Sequence, residues 1–212
     1  MELILKINTS QPESGIIKKA AKIIKEGGIV AFPTETFYGL ATLALDIKAL
    51  KKLFSLKKRP FSLPIAIIIN NKSTVYDITK EVSKDAEKLM ERFWPGPLTL
   101  VFWAKAHTPD LLTSGMGKIG IRISSHKVAS SLAQSVDSPI TATSANISGE
   151  ANPTNVNQIE NAFGNGVNLI LDGGRASLNK ASTILDVTTK PFKILREGAV
   201  PKNEIFSCLC PE

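Results

Sequence analysis

The chain has 212 residues, 43% of them hydrophobic, enough to bury the core of one large domain without disulfides or a structural metal. No apolar stretch reaches the ~18–20 residues that span a bilayer, and the opening Met1-Glu2-Leu3-Ile4-Leu5-Lys6 lacks the basic-then-apolar plan of a signal peptide. A net charge of +7 suits anionic ligands such as nucleotides or RNA, although Lys18, Lys19, Lys22, Lys25, Lys48, Lys51 and Lys52 also read as ordinary solvated helix faces.

In chain order, Leu3 to Ile7 reads as a strand. Ser10-Gln11-Pro12-Glu13 has capping-box spacing and opens a helix whose apolar stripe is Ile16, Ile17, Ala20, Ile23 and Ile24, ended by Gly27-Gly28. A buried strand, Ile29 to Phe32, follows. Asp46 to Leu56 reads as a helix, and Leu63 to Ile69 as a near-continuous apolar strand inside a covered sheet. Val82, Ala86, Leu89, Met90 and Phe93 mark a third helix, stopped by Pro95-Gly96-Pro97. Strands are expected at Leu98 to Ala104 and Ile119 to Ile123, a fourth helix over Val128 to Val136, and a strand over Ile140 to Thr143. A short helix near Val156 to Phe163 precedes strands at Val167–Leu171, Thr183–Val187 and Phe192–Leu195. No repeat, low-complexity tract or linker interrupts this alternation, which predicts a single α/β domain over residues 1–212 with one mixed sheet flanked by helices. Cys208 and Cys210 read as a reduced, incidental tail, and the chain as cytoplasmic.

Three polar runs stand out against this apolar background. Lys57 and Arg59, at a helix end before Pro60, offer a point charge and a planar fork that can converge on one polyphosphate. There they neutralise charge building on an α-phosphate and on a leaving pyrophosphate; a helix C-terminus also favours cations for its dipole alone. Thr141, Thr143, Ser144, Asn146 and Ser148 crowd eight residues after a buried strand, where ligands of open α/β sheets bind. Ordinary turn chemistry is the alternative. Thr34 and Thr36 carry small hydroxyls suited to the ammonium and carboxylate of an amino acid, with Glu35 as a cation partner or, alternatively, a capped loop. Arg122 is a candidate carboxylate or phosphate ligand, and Ser182-Thr183 and Arg196-Glu197-Gly198 bring late strands to the same cleft.

Other chemistries find no support. Neither a P-loop nor a dinucleotide-binding glycine fingerprint occurs. The two histidines, His107 and His126, lack nearby carboxylates or thiols in sequence, so no protein-caged zinc or histidine base is expected. The metal expected is Mg2+ carried on nucleotide phosphates.

Together the runs resemble the YrdC/Sua5 family, the threonylcarbamoyl-AMP synthases. Its motifs fall in order at Pro33 to Leu40, Lys57 to Pro60, Trp94 to Thr99, Gly120 to Arg122, Ser144 to Gly149, Ser182 to Asp186 and Leu195 to Gly198, covering about Gly15 to Val200. The resemblance implies a YrdC-like twisted sheet with a concave basic cleft, and a reaction in which L-threonine, bicarbonate and ATP give threonylcarbamoyl-AMP and pyrophosphate for the t6A modification of tRNA. It places Thr34, Thr36, Arg122 and Ser182 on threonine. Lys57, Arg59, Lys118, Ser144, Asn146, Asn152 and Arg196 fall on ATP, with Lys57, Arg59, Ser144 and Asn146 catalytic and Glu35 the nearest candidate base. The partners implied are a downstream threonylcarbamoyl-transferring complex and tRNA, with no membrane. Leu63, Ile68, Ala41 and Ser124 depart from the family pattern, and the resemblance is to the short type without the Sua5 carboxyl-terminal domain. The alternative is a paralogue whose basic cleft holds RNA or nucleotide without synthase activity.

Overall fold

The computed structural model describes residues 4–175 and 180–209. Ile4–Lys6 forms β1 and Ser14–Lys25 forms α1. The helix begins later than the capping-box spacing predicts. Asn8 Oδ1 accepts the N–H groups of Ser10 and Gln11 at 2.9 Å, and Glu13 Oε2 accepts the Asn8 N–H at 3.0 Å. The Ser10 N–H and the Glu13 carboxylate, which a capping box joins, are thereby occupied by an Asx turn.

Next come β2 (Val30–Phe32), β3 (Gly39–Ala41), α2 (Ile47–Leu56), β4 (Ile67–Ile68), α3 (Ser73–Ile78), α4 (Lys84–Phe93), β5 (Leu98–Trp103), α5 (Asp110–Thr113) and β6 (Lys118–Arg122). The chain continues through α6 (Lys127–Val136), β7 (Ile140–Thr141), β8 (Thr143–Ser144), α7 (Val156–Phe163), β9 (Leu169–Asp172), β10 (Thr183–Asp186), β11 (Lys193–Arg196) and α8 (Lys202–Ser207). The α/β alternation is as expected, with β3, α3, α5 and α8 added. Cys208 is free, and Cys210 lies outside the described residues.

Two expectations about strands are corrected. Leu63 to Ile69 yields only the two-residue β4: Pro64 has no N–H to give a ladder, and the Arg59 side chain takes the carbonyls of Leu63 and Pro64. The single mixed sheet is two mixed sheets, ordered β1-β9-β2-β3-β8 and β11-β10-β5-β6-β4-β7. The expected strand from Ile140 to Thr143 breaks at Ala142. On one side β7 pairs antiparallel with β4; on the other, β8 pairs antiparallel with β3. This stretch is the seam where the chain passes from one sheet to the other, tied by Thr141 Oγ1 donating to Leu40 O at 3.0 Å and by Ala142 N–H donating to Ala66 O at 2.8 Å.

Both faces of the first sheet are covered. Val30, Phe32, Leu169 and Leu171 pack with Ile17, Ala20 and Ile24 of α1 and with Val128, Leu132 and Val136 of α6. Their neighbours Ala31 and Ile170 face a second cluster with Leu50, Leu53 and Phe54 of α2. The period-two alternation of strands sends successive side chains to opposite layers, which is why these strands read as continuous apolar runs.

Candidate active site

A cavity of about 200 Å3 opens at the seam between the sheets. The first sheet supplies Thr34, Thr36 and Tyr38 from around the β2–β3 turn, and the crossing segment supplies Thr143 and Ser144. Arg122 comes from β6, Thr99 from β5, Ser182 from the residue before β10 and Arg196 from β11, while Arg59 and Asn152 enter from loops. Three guanidinium groups line this cavity, and no carboxylate does among the described residues.

The sequence-adjacent cations part company. Helix α2 ends with Lys58 in the left-handed region at φ 49°. Lys58 N–H donates to Ser55 O at 3.1 Å and Arg59 N–H to Phe54 O at 2.9 Å, the paired bonds of a Schellman turn. The turn separates the two side chains. Lys57, only 1% exposed, donates Nζ–H bonds to Ser144 O at 2.5 Å and Asn146 O at 2.6 Å, while its own carbonyl accepts the Ser148 N–H at 2.9 Å. It clamps the 144–148 turn from behind and does not line the cavity, so the structure does not bring the Lys57 and Arg59 side chains together. Arg59 Nε and Nη2 hold Leu63 O at 3.2 Å and Pro64 O at 2.8 Å, and its guanidinium faces the cavity.

Burial, reinforced by the Arg59 charge, pulls Lys57 from the ordinary lysine value of 10.5 down to about 7, against two carbonyl acceptors that favour the charged form. Because the folded value lies below the unfolded one, the unfolded chain binds the extra proton between about pH 7 and 10.5. The stability cost of this cation is therefore complete below pH 7 and disappears as pH rises through that window. Thermal melts are expected to show wild-type protein gaining on a Lys57→Met variant as pH rises above 7; a constant difference would show that Lys57 keeps its proton.

Within the Ser144 turn, Ser144 Oγ donates to Asn146 Oδ1 at 2.5 Å and Asn146 Nδ2 to Glu150 O at 2.6 Å. Asn146 is thus buried behind Ser144 and does not line the cavity. Lys118 is also brought elsewhere: its Nζ pairs with Asp186 Oδ2 at 2.9 Å and sits 4.7 Å from the Trp103 ring centroid.

On the opposite wall, Thr34 Oγ1 donates to Phe37 O at 2.7 Å, accepts the Thr36 N–H at 3.1 Å and lies 3.0 Å from Thr36 Oγ1, fixing the turn that brings both residues to the cavity. Arg122 Nη1 donates to Glu35 Oε1 at 2.9 Å, and Ser124 Oγ donates to Glu35 Oε2 at 2.5 Å. Glu35, the candidate base, thus has one oxygen on Arg122 and the other on Ser124, and does not line the cavity. Arg196 Nε and Nη2 both donate to Ser182 O, at 3.1 and 2.9 Å, and Nη2 also reaches Ser182 Oγ at 3.0 Å. Burial, then the neighbouring Arg122 charge, lowers the Arg196 pKa, as expected of two cations sharing one pocket. Gly198 permits this close approach, because a Cβ there would lie 2.3 Å from Ala181 O.

Thr99 and Tyr38 also line the cavity and had no role assigned from sequence. Thr99 Oγ1 shares a hydrogen bond with Ser182 Oγ at 3.1 Å. Tyr38 Oη donates to Gly174 O at 2.6 Å and accepts the Gly173 N–H at 3.1 Å; burial pushes its pKa up to about 12. Both lie inside motifs quoted above, so the signal was present, but their partners are distant in sequence.

The Sua5/YciO/YrdC family model, described as telomere recombination, matches residues 22–198. The chain is 41% identical over 189 residues to a Pyrococcus abyssi protein named threonylcarbamoyl-AMP synthase, covering 89% of this chain and 56% of that one. A Bacillus subtilis protein of the same name is 35% identical over 209 residues, covering 97% and 59%. The crystal structure of P. abyssi Sua5 complexed with L-threonine superposes with a TM-score of 0.95 at 38% identity, covering 98% of this chain and 61% of that one. The chain thus spans less than two thirds of the length of these relatives. With its fold, its motif order and the family match running together over most of its residues, the chain belongs to the Sua5/YciO/YrdC family.

Proposed function

We propose that this chain is a threonylcarbamoyl-AMP synthase, converting L-threonine, bicarbonate and ATP into threonylcarbamoyl-AMP, pyrophosphate and water. The observation that carries this reading is the convergence of Arg59, Arg122 and Arg196 with the hydroxyls of Thr34, Thr36 and Ser182 on one cavity, in a chain whose relatives bear that name. The threonine amine attacks the carbon of bicarbonate, whose C–OH bond breaks so that the hydroxyl leaves as water with a proton from the nitrogen, or attacks CO2 with loss of that proton; either route gives a carbamate. A carbamate oxygen then attacks the α-phosphorus, and the bond to the bridging oxygen breaks with its electron pair leaving on pyrophosphate.

Little covalent work falls to side chains, so catalysis is positioning plus electrostatic stabilisation. Arg122, Thr34, Thr36 and Ser182 take threonine. Arg59, Ser144, Asn152 and Arg196 take ATP, while Lys57 and Asn146 act one step removed by holding the Ser144 turn. Among the described residues no group of three or more His, Cys, Asp or Glu side chains is placed to hold a metal ion. In this proposal Mg2+ arrives on the nucleotide phosphates and is assigned no step. No helix among the described residues is long and apolar enough to cross a membrane. We place the reaction in the cytoplasm, with its product passed to a threonylcarbamoyl-transferring complex that modifies tRNA.

The test is pyrophosphate release from ATP by purified protein with Mg2+. Release that requires both L-threonine and bicarbonate is expected. No threonine-dependent release from folded protein would overturn the proposal and favour a paralogue that only binds nucleotide or RNA.

A further inference from the structure

The Arg122 guanidinium ends strand β6 at the cavity wall, where it is 6% exposed. A guanidinium there has two ways to satisfy its donors: fold back on protein acceptors, or face a ligand. Its carboxylate partner decides which. Glu35 Oε1 accepts from Nη1, and Glu35 itself does not line the cavity, so the carboxylate sits behind the guanidinium. A carboxylate held through one oxygen is free to rotate about its last bond and to slide along the edge of the fork. The second oxygen must be held as well if the fork is to keep one orientation.

Ser124 holds it. The residue is 1% exposed, so bulk water does not compete for the bond. Its oxygen accepts the His126 N–H at 3.2 Å, which leaves its only proton for Glu35 Oε2. His126 in turn caps α6, its Nδ1 accepting the Val128 N–H at 3.3 Å. The intervening backbone is pinned on both sides, by Ile69 N–H donating to Arg122 O at 3.1 Å and Gly96 N–H donating to Ile123 O at 2.8 Å. A continuous run of fixed groups therefore leads from the start of α6 through His126, Ser124 and Glu35 to Arg122.

We infer that Ser124 is a positioning residue of this site: its buried hydroxyl locks Glu35, and through Glu35 it locks the orientation in which Arg122 offers its remaining donors to a carboxylate-bearing substrate. The inference rests on the synthase reading for the identity of that carboxylate, the one on threonine. It also assigns Glu35 a role apart from proton transfer, because its carboxylate sits behind the Arg122 guanidinium and does not line the cavity. A hydrogen bond to an ionised group strengthens both its partners' geometry and their charge, so losing it is felt at the next bond along.

The experiment compares wild type, Ser124→Ala and Ser124→Thr by threonine binding calorimetry and steady-state kinetics, with thermal melts to confirm folding. Ser124→Ala is expected to weaken threonine binding about tenfold, the scale of one hydrogen bond to a charged group, while the KM for ATP changes less than about twofold. Ser124→Thr, which keeps the hydroxyl, is expected to restore most of the loss. Unchanged threonine affinity in folded Ser124→Ala, an equal rise in both KM values, or no rescue by Thr overturns the inference. Should Ser124→Ala not fold, Ser124→Cys, with its weak donor, replaces it under the same criteria.

A ligand-free arm separates this inference from the function it rests on. Heteronuclear NMR of the arginine Nε–Hε groups is expected to show a slowly exchanging, well-dispersed Arg122 signal in wild type and Ser124→Thr that joins the averaged surface arginines in Ser124→Ala. If wild type binds no threonine yet Arg122 loses its ordered signal in Ser124→Ala, the synthase reading falls and the positioning role stands. If the Arg122 signal is the same in all three proteins, the positioning role falls.

Discussion

Replacing Arg59 with Ala is expected to lower kcat/KM for ATP by about 10²-fold, the scale set by losing one preorganised charge contact to a developing negative charge. The side chain does two things at once. Its Nε and Nη2 tie down the carbonyls of Leu63 and Pro64, and its guanidinium faces the cavity, where burial disfavours its charge unless an anion is bound. Arg59→Lys is expected to recover only part of the loss, because one ammonium on a flexible stem does not span two carbonyls and a phosphate together. Pyrophosphate release at subsaturating ATP checks both variants. Full activity in folded Arg59→Ala would remove this residue from the nucleotide side of the site.

Replacing Lys57 with Ala is expected to cost a similar factor by a different route. Lys57 does not line the cavity; it supplies the donor shared by Ser144 O and Asn146 O from the buried side of the turn. Leaving two such carbonyls without it costs about 1–3 kcal/mol each, but removing a desolvated cation returns part of that. The thermal melt is therefore expected to fall modestly and the rate steeply, since the Ser144 hydroxyl is no longer held at the cavity wall. A double-mutant cycle distinguishes this from direct phosphate contact. If Lys57 works through the turn, Lys57→Ala and Ser144→Ala are strongly non-additive. Additive losses would instead place the ammonium on the ligand.

The contrast between these neighbouring cations shows what was legible before the fold was known. The motif spacing identified Lys57 and Arg59, and the helix before them ran as expected from Asp46, whose Oδ1 accepts the Lys48 and Ala49 N–H groups. The direction in which each side chain leaves the helix depends on the left-handed conformation of Lys58, which neither composition nor periodicity encodes for a lysine. Likewise Arg122 and Glu35 were each legible as polar residues near strand ends. Their pairing joins positions 87 residues apart, and only the tertiary structure, which brings the β2–β3 turn to the end of β6, puts them in contact.

The sequence by itself determined the α/β alternation, most helix and strand positions, and the set of polar segments from which a site is drawn, because these follow from local periodicity and turn chemistry. The division into two sheets at Ala142 was decided by the tertiary structure, since β7 and β8 find partners in different sheets through contacts far apart in the chain. So was the sorting of the polar residues: Arg59, Arg122 and Arg196 reach the cavity, Lys57 and Asn146 support it from behind, and Lys118 is spent on Asp186. Burial and hydrogen-bond partners set those roles, and both are properties of the packed chain that no single segment carries.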